Sequence, residues 1–124
     1  MTTIVVADDH KIVREGLVKL LEGRADFSVI GEAADGEEAV KMVLEKKPDI
    51  VIMDIWMPRL SGIDATRRIV KRGSPTKVLV LSMHESRTYV EEVLRAGASG
   101  YIVKNSASSD LLQAIDAVQG GASY

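Results

Sequence analysis

Three aspartates stand where chemistry could be done: the adjacent pair Asp8 and Asp9, and Asp54 further along the chain. The pair follows the apolar run Ile4-Val5-Val6-Ala7, and Asp54 follows Ile50-Val51-Ile52-Met53. Two other polar groups hold the same position after later apolar runs. Ser82 follows Val78-Leu79-Val80-Leu81, and Lys104 follows Tyr101-Ile102-Val103. Carboxylates brought together oppose one another's ionisation, and one lysine cannot offset three, so a divalent cation is their natural companion. There is no cysteine, and an all-oxygen donor set suits Mg²⁺, which keeps several waters and commonly completes its shell with phosphate oxygens. The chemistry expected is phosphoryl transfer. Asp54 can attack phosphorus and become an aspartyl phosphate. Mg²⁺ on Asp9, with Asp8 holding a coordinated water, would neutralise the transferring group. Lys104 would set an ammonium against one phosphoryl oxygen, and Ser82 a hydroxyl donor against another. No His or Glu at these positions is an obvious general base. A phosphorylated Asp54 should therefore persist, as in a switch rather than a turnover enzyme.

The elements that must position these groups alternate along the chain. Five short apolar runs (the four above and Phe27 to Ala33) are separated by amphipathic stretches. Four are nearly all apolar, as expected of strands covered on both faces of a parallel sheet, while Phe27–Ala33 is the most polar and is expected at an edge. Val13, Leu17, Leu20 and Leu21 mark the inward face of a first helix, which Gly23 stops. Asp35 and Glu38 form a capping box for a second, with Pro48 beyond its end. Ser61 caps a third, which carries Ile63 and Ile69 inward and ends before Gly73 and Pro75. Tyr89, Val90, Val93 and Leu94 define a fourth before Gly97, and Leu111, Leu112, Ile115 and Val118 a fifth before Gly120-Gly121. Right-handed crossovers then give a flavodoxin-like, doubly wound (βα)5 α/β fold. Ligands in such sheets gather beyond the carboxyl ends of the strands, where strand order reverses. Strands one, three, four and five carry the polar groups, so strand two belongs outside strand one and the order is 2-1-3-4-5.

The chain of 124 residues is read as one domain, 1–124. Hydrophobic residues at 46% and charged ones at 27% argue against a disordered or fibrous chain. Lys plus Arg number 16 against 18 Asp plus Glu, a net charge of −2, which argues against direct binding to nucleic-acid phosphates. No stretch is long and apolar enough for a membrane span or signal peptide, so a cytoplasmic location is expected.

Four segments, Val6-Ala7-Asp8-Asp9-His10, Met53 to Gly62, Leu81-Ser82 and Gly100 to Lys104, together resemble the receiver domain of bacterial two-component response regulators. The resemblance implies that a sensor histidine kinase donates phosphate to Asp54, with Asp8 and Asp9 as the acidic pocket. It also implies that the backbone carbonyl of Trp56 is a further metal ligand, and that Ser82 and Tyr101 are the switch pair. The ending Ala114 to Gly121 looks like the LuxR/NarL/FixJ-type subgroup, whose receivers precede a helix-turn-helix. DNA would then be reached only through a C-terminal output domain absent from this chain, and a phosphorylation-linked homodimer is a further implication. The family usually has Pro after the lysine; here it is Asn105, for which a trans peptide is expected because a non-proline cis bond costs roughly 2.5–4 kcal/mol.

Other readings compete with these. Asp8 and Asp9 could serve only as helix caps, Asp54 and Lys104 as solvated side chains, and Ser82 as a turn residue. His10 reads as a polar residue at a helix start rather than a ligand, and His84 as a neighbour of the pocket mouth. Arg67, Arg68, Lys71 and Arg72 read as a solvated helix face, and Gly36, Gly62 and Gly97 as backbone punctuation. The rival functions are a phosphate-independent interaction module and an aspartate-nucleophile phosphatase. The second would need an Asp where Trp56 stands. A nucleotide-binding domain is a distant third, because no Gly-rich loop follows the first strand.

Overall fold

The computed structural model describes residues 1–82, 87–103 and 108–121. Five strands, β1 (Thr2–Ala7), β2 (Phe27–Ala33), β3 (Ile50–Asp54), β4 (Lys77–Ser82) and β5 (Gly100–Val103), alternate with five helices. The helices are α1 (Lys11–Glu22), α2 (Gly36–Lys46), α3 (Gly62–Lys71), α4 (Arg87–Arg95) and α5 (Ser108–Gln119). The strands form one parallel sheet in the order β2-β1-β3-β4-β5, as the strand-end argument required.

Alternation along each strand sends side chains to two separate cores. Val5, Ala7, Val51, Met53, Val78 and Val80 pack with Val43, Ile69 and Val93 of α2, α3 and α4. Ile4, Val6, Ile50, Ile52, Leu79 and Leu81 pack with Leu21 of α1 and with Ile115 and Val118 of α5. Burial on both faces is why β1, β3 and β4 read as continuous apolar runs. β2 is a half-buried edge, and β5, at the other edge, is half-buried as well.

The caps follow the expected chemistry. Asp35 accepts from the Glu38 N–H at 2.8 Å while Glu38 reaches back to the Ala34 N–H at 2.9 Å. Ser61 accepts from the Asp64 N–H, and Gly23 caps α1. Two expectations need correction. Val13 is exposed, with Leu17, Val18, Leu20 and Leu21 making the contacts of α1. Leu94 is exposed too, and Val93 is the buried residue of α4. Val13 lies in the first turn of its helix and Leu94 in the last full turn of its own, where the sheet no longer covers the flank of the helical stripe.

Arg24 fastens the end of α1 to the rest of the layer. Its guanidinium holds Asp26 through two hydrogen bonds at 2.8 and 2.9 Å, reaches Asp116 of α5, and lies 4.3 Å from the centre of the Phe27 ring. Arg24 holds the Asp26 carboxyl below its ordinary range. A carboxylate so lowered adds stability above its unfolded pKa and loses it as pH falls through the folded value. Arg24→Met should therefore lower the melting temperature at neutral pH, by a margin that shrinks in acid below about pH 4. Thermal unfolding followed by circular dichroism measures both.

Candidate phosphoryl-transfer site

β1 and β3 lie side by side with Ala7 opposite Met53, so the residues that follow emerge together at the point where strand order reverses. Asp8 is 1% exposed and Asp54 3%, while Asp9 faces solvent. One ligand atom from each of Asp8, Asp9, His10 and Asp54 lies within 4.8 Å of the others. The three carboxylates singled out in the sequence are thus brought to one spot.

Each side of the spot is held by its own local structure. On the β1 side, the His10 N–H donates to Asp8 Oδ1 at 2.9 Å. His10 is also the N-cap of α1, so the positive end of that helix dipole lies beside the acids. Arg14, one turn on, donates to the Asp8 carbonyl at 2.8 Å and pairs with Glu32 of β2 at 3.0 Å. Sequence reading missed Arg14; its only signal was the spacing of four from His10, which faces it back along the helix.

On the β3 side the chain doubles back tightly after Asp54. The Gly62 N–H donates to the Ile55 carbonyl at 2.8 Å. A Cβ at Gly62 would lie 1.8 Å from the Asp54 carbonyl oxygen, and one at Gly36 would lie 1.9 Å from that of Leu60. Neither of these glycines is at positive φ, so lack of bulk rather than backbone freedom is what they supply. Between them Arg59 has φ 69°, the Leu60 N–H donates to Pro58 at 2.8 Å, and the Arg59 guanidinium is 3.8 Å from Asp35. The turn is a γ-turn of the rarer, strained hand.

The neighbouring strands complete the site. Asp54 pairs with Leu81 in the β3–β4 ladder, which puts Ser82, fully buried, one residue further along. Ser82 in turn pairs with Val103, the residue before Lys104. Tyr101 is half-buried and packs on the core beneath α2, α3 and α4. Trp56, 51% exposed, meets Tyr89 of α4 edge to face, with centroids 5.5 Å apart at 84°. Lys104, the Lys104-Asn105 peptide and His84 lie outside the described residues. The basic run on α3 is exposed as expected, and Arg67 pairs with Asp64 within its own helix.

A parallel α/β sheet with acidic residues at its switch point defines a class of switch-point ligand sites, and this donor set, rich in carboxylate oxygen, fits a hard divalent cation. The particular family follows from the sequence. The chain belongs to the response regulator receiver domain family, whose pattern matches residues 4–116. It is similar to the transcriptional regulatory protein DegU of Brevibacillus brevis, at 42% identity over 98% of this chain and 51% of that one. It is likewise similar to the oxygen regulatory protein NreC of Staphylococcus haemolyticus, at 45% identity over 98% of this chain and 56% of that one. The chain thus spans about half the length of these curated relatives. Among solved structures, a LuxR-family two-component response regulator from Aurantimonas sp. SI85-9A1 superposes with a TM-score of 0.95. Their identity is 41%, over 99% of this chain and 88% of that one. The chain is accordingly a receiver domain of the LuxR/NarL type. No helix among the described residues is long and apolar enough to cross a membrane.

Proposed function

We propose that this domain is a phosphorylation-activated switch, with Asp54 accepting a phosphoryl group from a sensor histidine kinase in a Mg²⁺-dependent reaction. The convergence of Asp8, Asp9 and Asp54 at the strand ends carries this reading. Asp8, Asp9, Asp54 and the Trp56 carbonyl would hold the ion. Bound there, Mg²⁺ supplies charge neutralisation for the transferring group. A carboxylate oxygen of Asp54 attacks phosphorus as the P–N bond of a phosphohistidine breaks. The departing nitrogen keeps the bonding pair and, from a ring protonated at its other nitrogen, leaves as neutral imidazole. Lys104 would then set its ammonium against one phosphoryl oxygen, and Ser82 its hydroxyl against another.

The new group adds about two negative charges and fresh acceptor oxygens. Ser82 moves toward them, and Tyr101 turns into the space that is vacated. Driving such an equilibrium from 1:99 to 99:1 takes about 5.5 kcal/mol of differential interaction. A hydrogen bond to a charged group supplies roughly 1.5–3 kcal/mol, so Ser82 and Lys104 together reach that figure at the upper end of the range. The altered surface of α4, β5 and α5 would serve a homodimer and act on transcription through a DNA-binding output domain of a longer, cytoplasmic regulator. The domain itself catalyses only its own phosphorylation and slow dephosphorylation. Beryllium fluoride with Mg²⁺ should shift the backbone amides of Ser82 and Tyr101 as well as those beside Asp54. Shifts confined to the Asp54 loop would refute the switch.

The exposed indole of Trp56, two residues past Asp54, screens the phosphoryl group from water. Trp56→Asn should lose its label severalfold faster than the parent in a single-exponential decay of the isolated phosphoprotein. An unchanged decay rate would remove Trp56 from the account.

A further inference from the structure

The imidazole of His10 stands among the carboxylates without a role in the reading above. Its Nδ1 is 3.1 Å from Asp9 Oδ1 and 3.4 Å from Asp8 Oδ1, and its side chain is 67% exposed. Adjacent ligands of an octahedral ion at about 2.0–2.2 Å are separated by about 2.8–3.1 Å, a spacing the His10–Asp9 pair meets and the His10–Asp8 pair exceeds. One ligand atom of Asp54 lies within 4.8 Å of all three, close enough for a single ion to touch the whole set. The backbone fixes this arrangement locally, because the His10 N–H is tied to Asp8 and Arg14 anchors the Asp8 carbonyl.

We infer that His10 is a metal-selecting residue, supplying a nitrogen donor that favours divalent first-row transition cations, Mn²⁺ among them, over Mg²⁺ at the acidic site. The inference rests on the reading that Asp8, Asp9 and Asp54 bind a divalent cation. An imidazole adds little for Mg²⁺, a hard ion satisfied by carboxylate and water, but binds first-row transition ions well. Such a site would load the transition ion at concentrations where Mg²⁺ alone leaves it partly filled.

The test uses the whole chain. Its single tryptophan is Trp56, two residues past Asp54, so intrinsic fluorescence follows cation titration without any phosphorylation. His10→Gln should weaken Mn²⁺ binding by about tenfold and leave Mg²⁺ binding within about twofold, since carboxylates and water already satisfy that ion. Pulsed electron paramagnetic resonance of bound Mn²⁺ should show ¹⁴N modulation from a directly coordinated imidazole in the parent and none in His10→Gln. Mn²⁺ bound without nitrogen modulation would overturn the role of His10, as would equal weakening of both ions. Mg²⁺ binding without Mn²⁺ binding would likewise overturn it, whereas failure of both ions to bind the parent would instead refute the cation site itself.

Discussion

Gly62→Ala should collapse the site while leaving most of the sheet intact. A Cβ at this position meets the Asp54 carbonyl oxygen at 1.8 Å, and the obstacle is backbone that cannot swing aside like a flexible side chain. Overpacking ordinarily costs about 1–3 kcal/mol. Here the helix start and the end of β3 must separate, so a loss of about 3 kcal/mol or more is expected, within the range reserved for severe single changes. The damage is directional. Separating the two breaks the Gly62–Ile55 hydrogen bond, weakens the Thr66 hydroxyl bond to the Gly62 carbonyl at 2.7 Å, and displaces Asp54 from its partners. Chemical denaturation reads the stability, and cation titration of Trp56 fluorescence reads the site. A variant within about 1 kcal/mol of the parent and with unchanged cation affinity would show that the loop tolerates what the geometry forbids.

Asp9→Asn should reverse the order of stability between variant and parent when Mg²⁺ is added. Two unit charges no more than 4.8 Å apart repel by roughly 3 kcal/mol or more at an effective dielectric constant near 20. Screening of the exposed Asp9 reduces what its removal returns to about 1 kcal/mol. The variant should therefore melt above the parent in chelator. A cation at ten times its dissociation constant stabilises the folded state by about 1.4 kcal/mol, a gain the parent keeps and the variant largely loses. The two melting temperatures should cross as Mg²⁺ rises. Parallel shifts in both proteins would mean that Asp9 is no ligand.

The legible parts of this molecule were those that simple periodicities encode. Continuous apolar strands reported a sheet covered on both faces, and polar residues just past their ends reported the switch point, so Asp8, Asp9 and Asp54 could be placed together before any coordinates. Asp35, Glu38 and Ser61 announced their caps through local chemistry. What the sequence concealed depends on how the chain doubles back. Gly62 read as punctuation because nothing in linear order says that the backbone of Asp54 passes beneath it. Arg14 carried no signal of its own and His10 read as a polar residue at a helix start, because the loop bending the imidazole toward the acids is set by two hydrogen bonds to Asp8. Val13 and Leu94 were misplaced because a 3.6-residue stripe does not say where the sheet beneath it stops.

The central claim is that Asp54 holds a labile acyl phosphate formed with the help of a divalent cation. Its most direct test is intact-mass spectrometry of the chain after incubation with acetyl phosphate, with Mg²⁺ and with chelator, beside Asp54→Ala. The account predicts one added phosphoryl group in the parent, only with Mg²⁺, and none in the variant. Phosphorylation of Asp54→Ala to the same extent, or an unmodified parent in the presence of Mg²⁺, would contradict it.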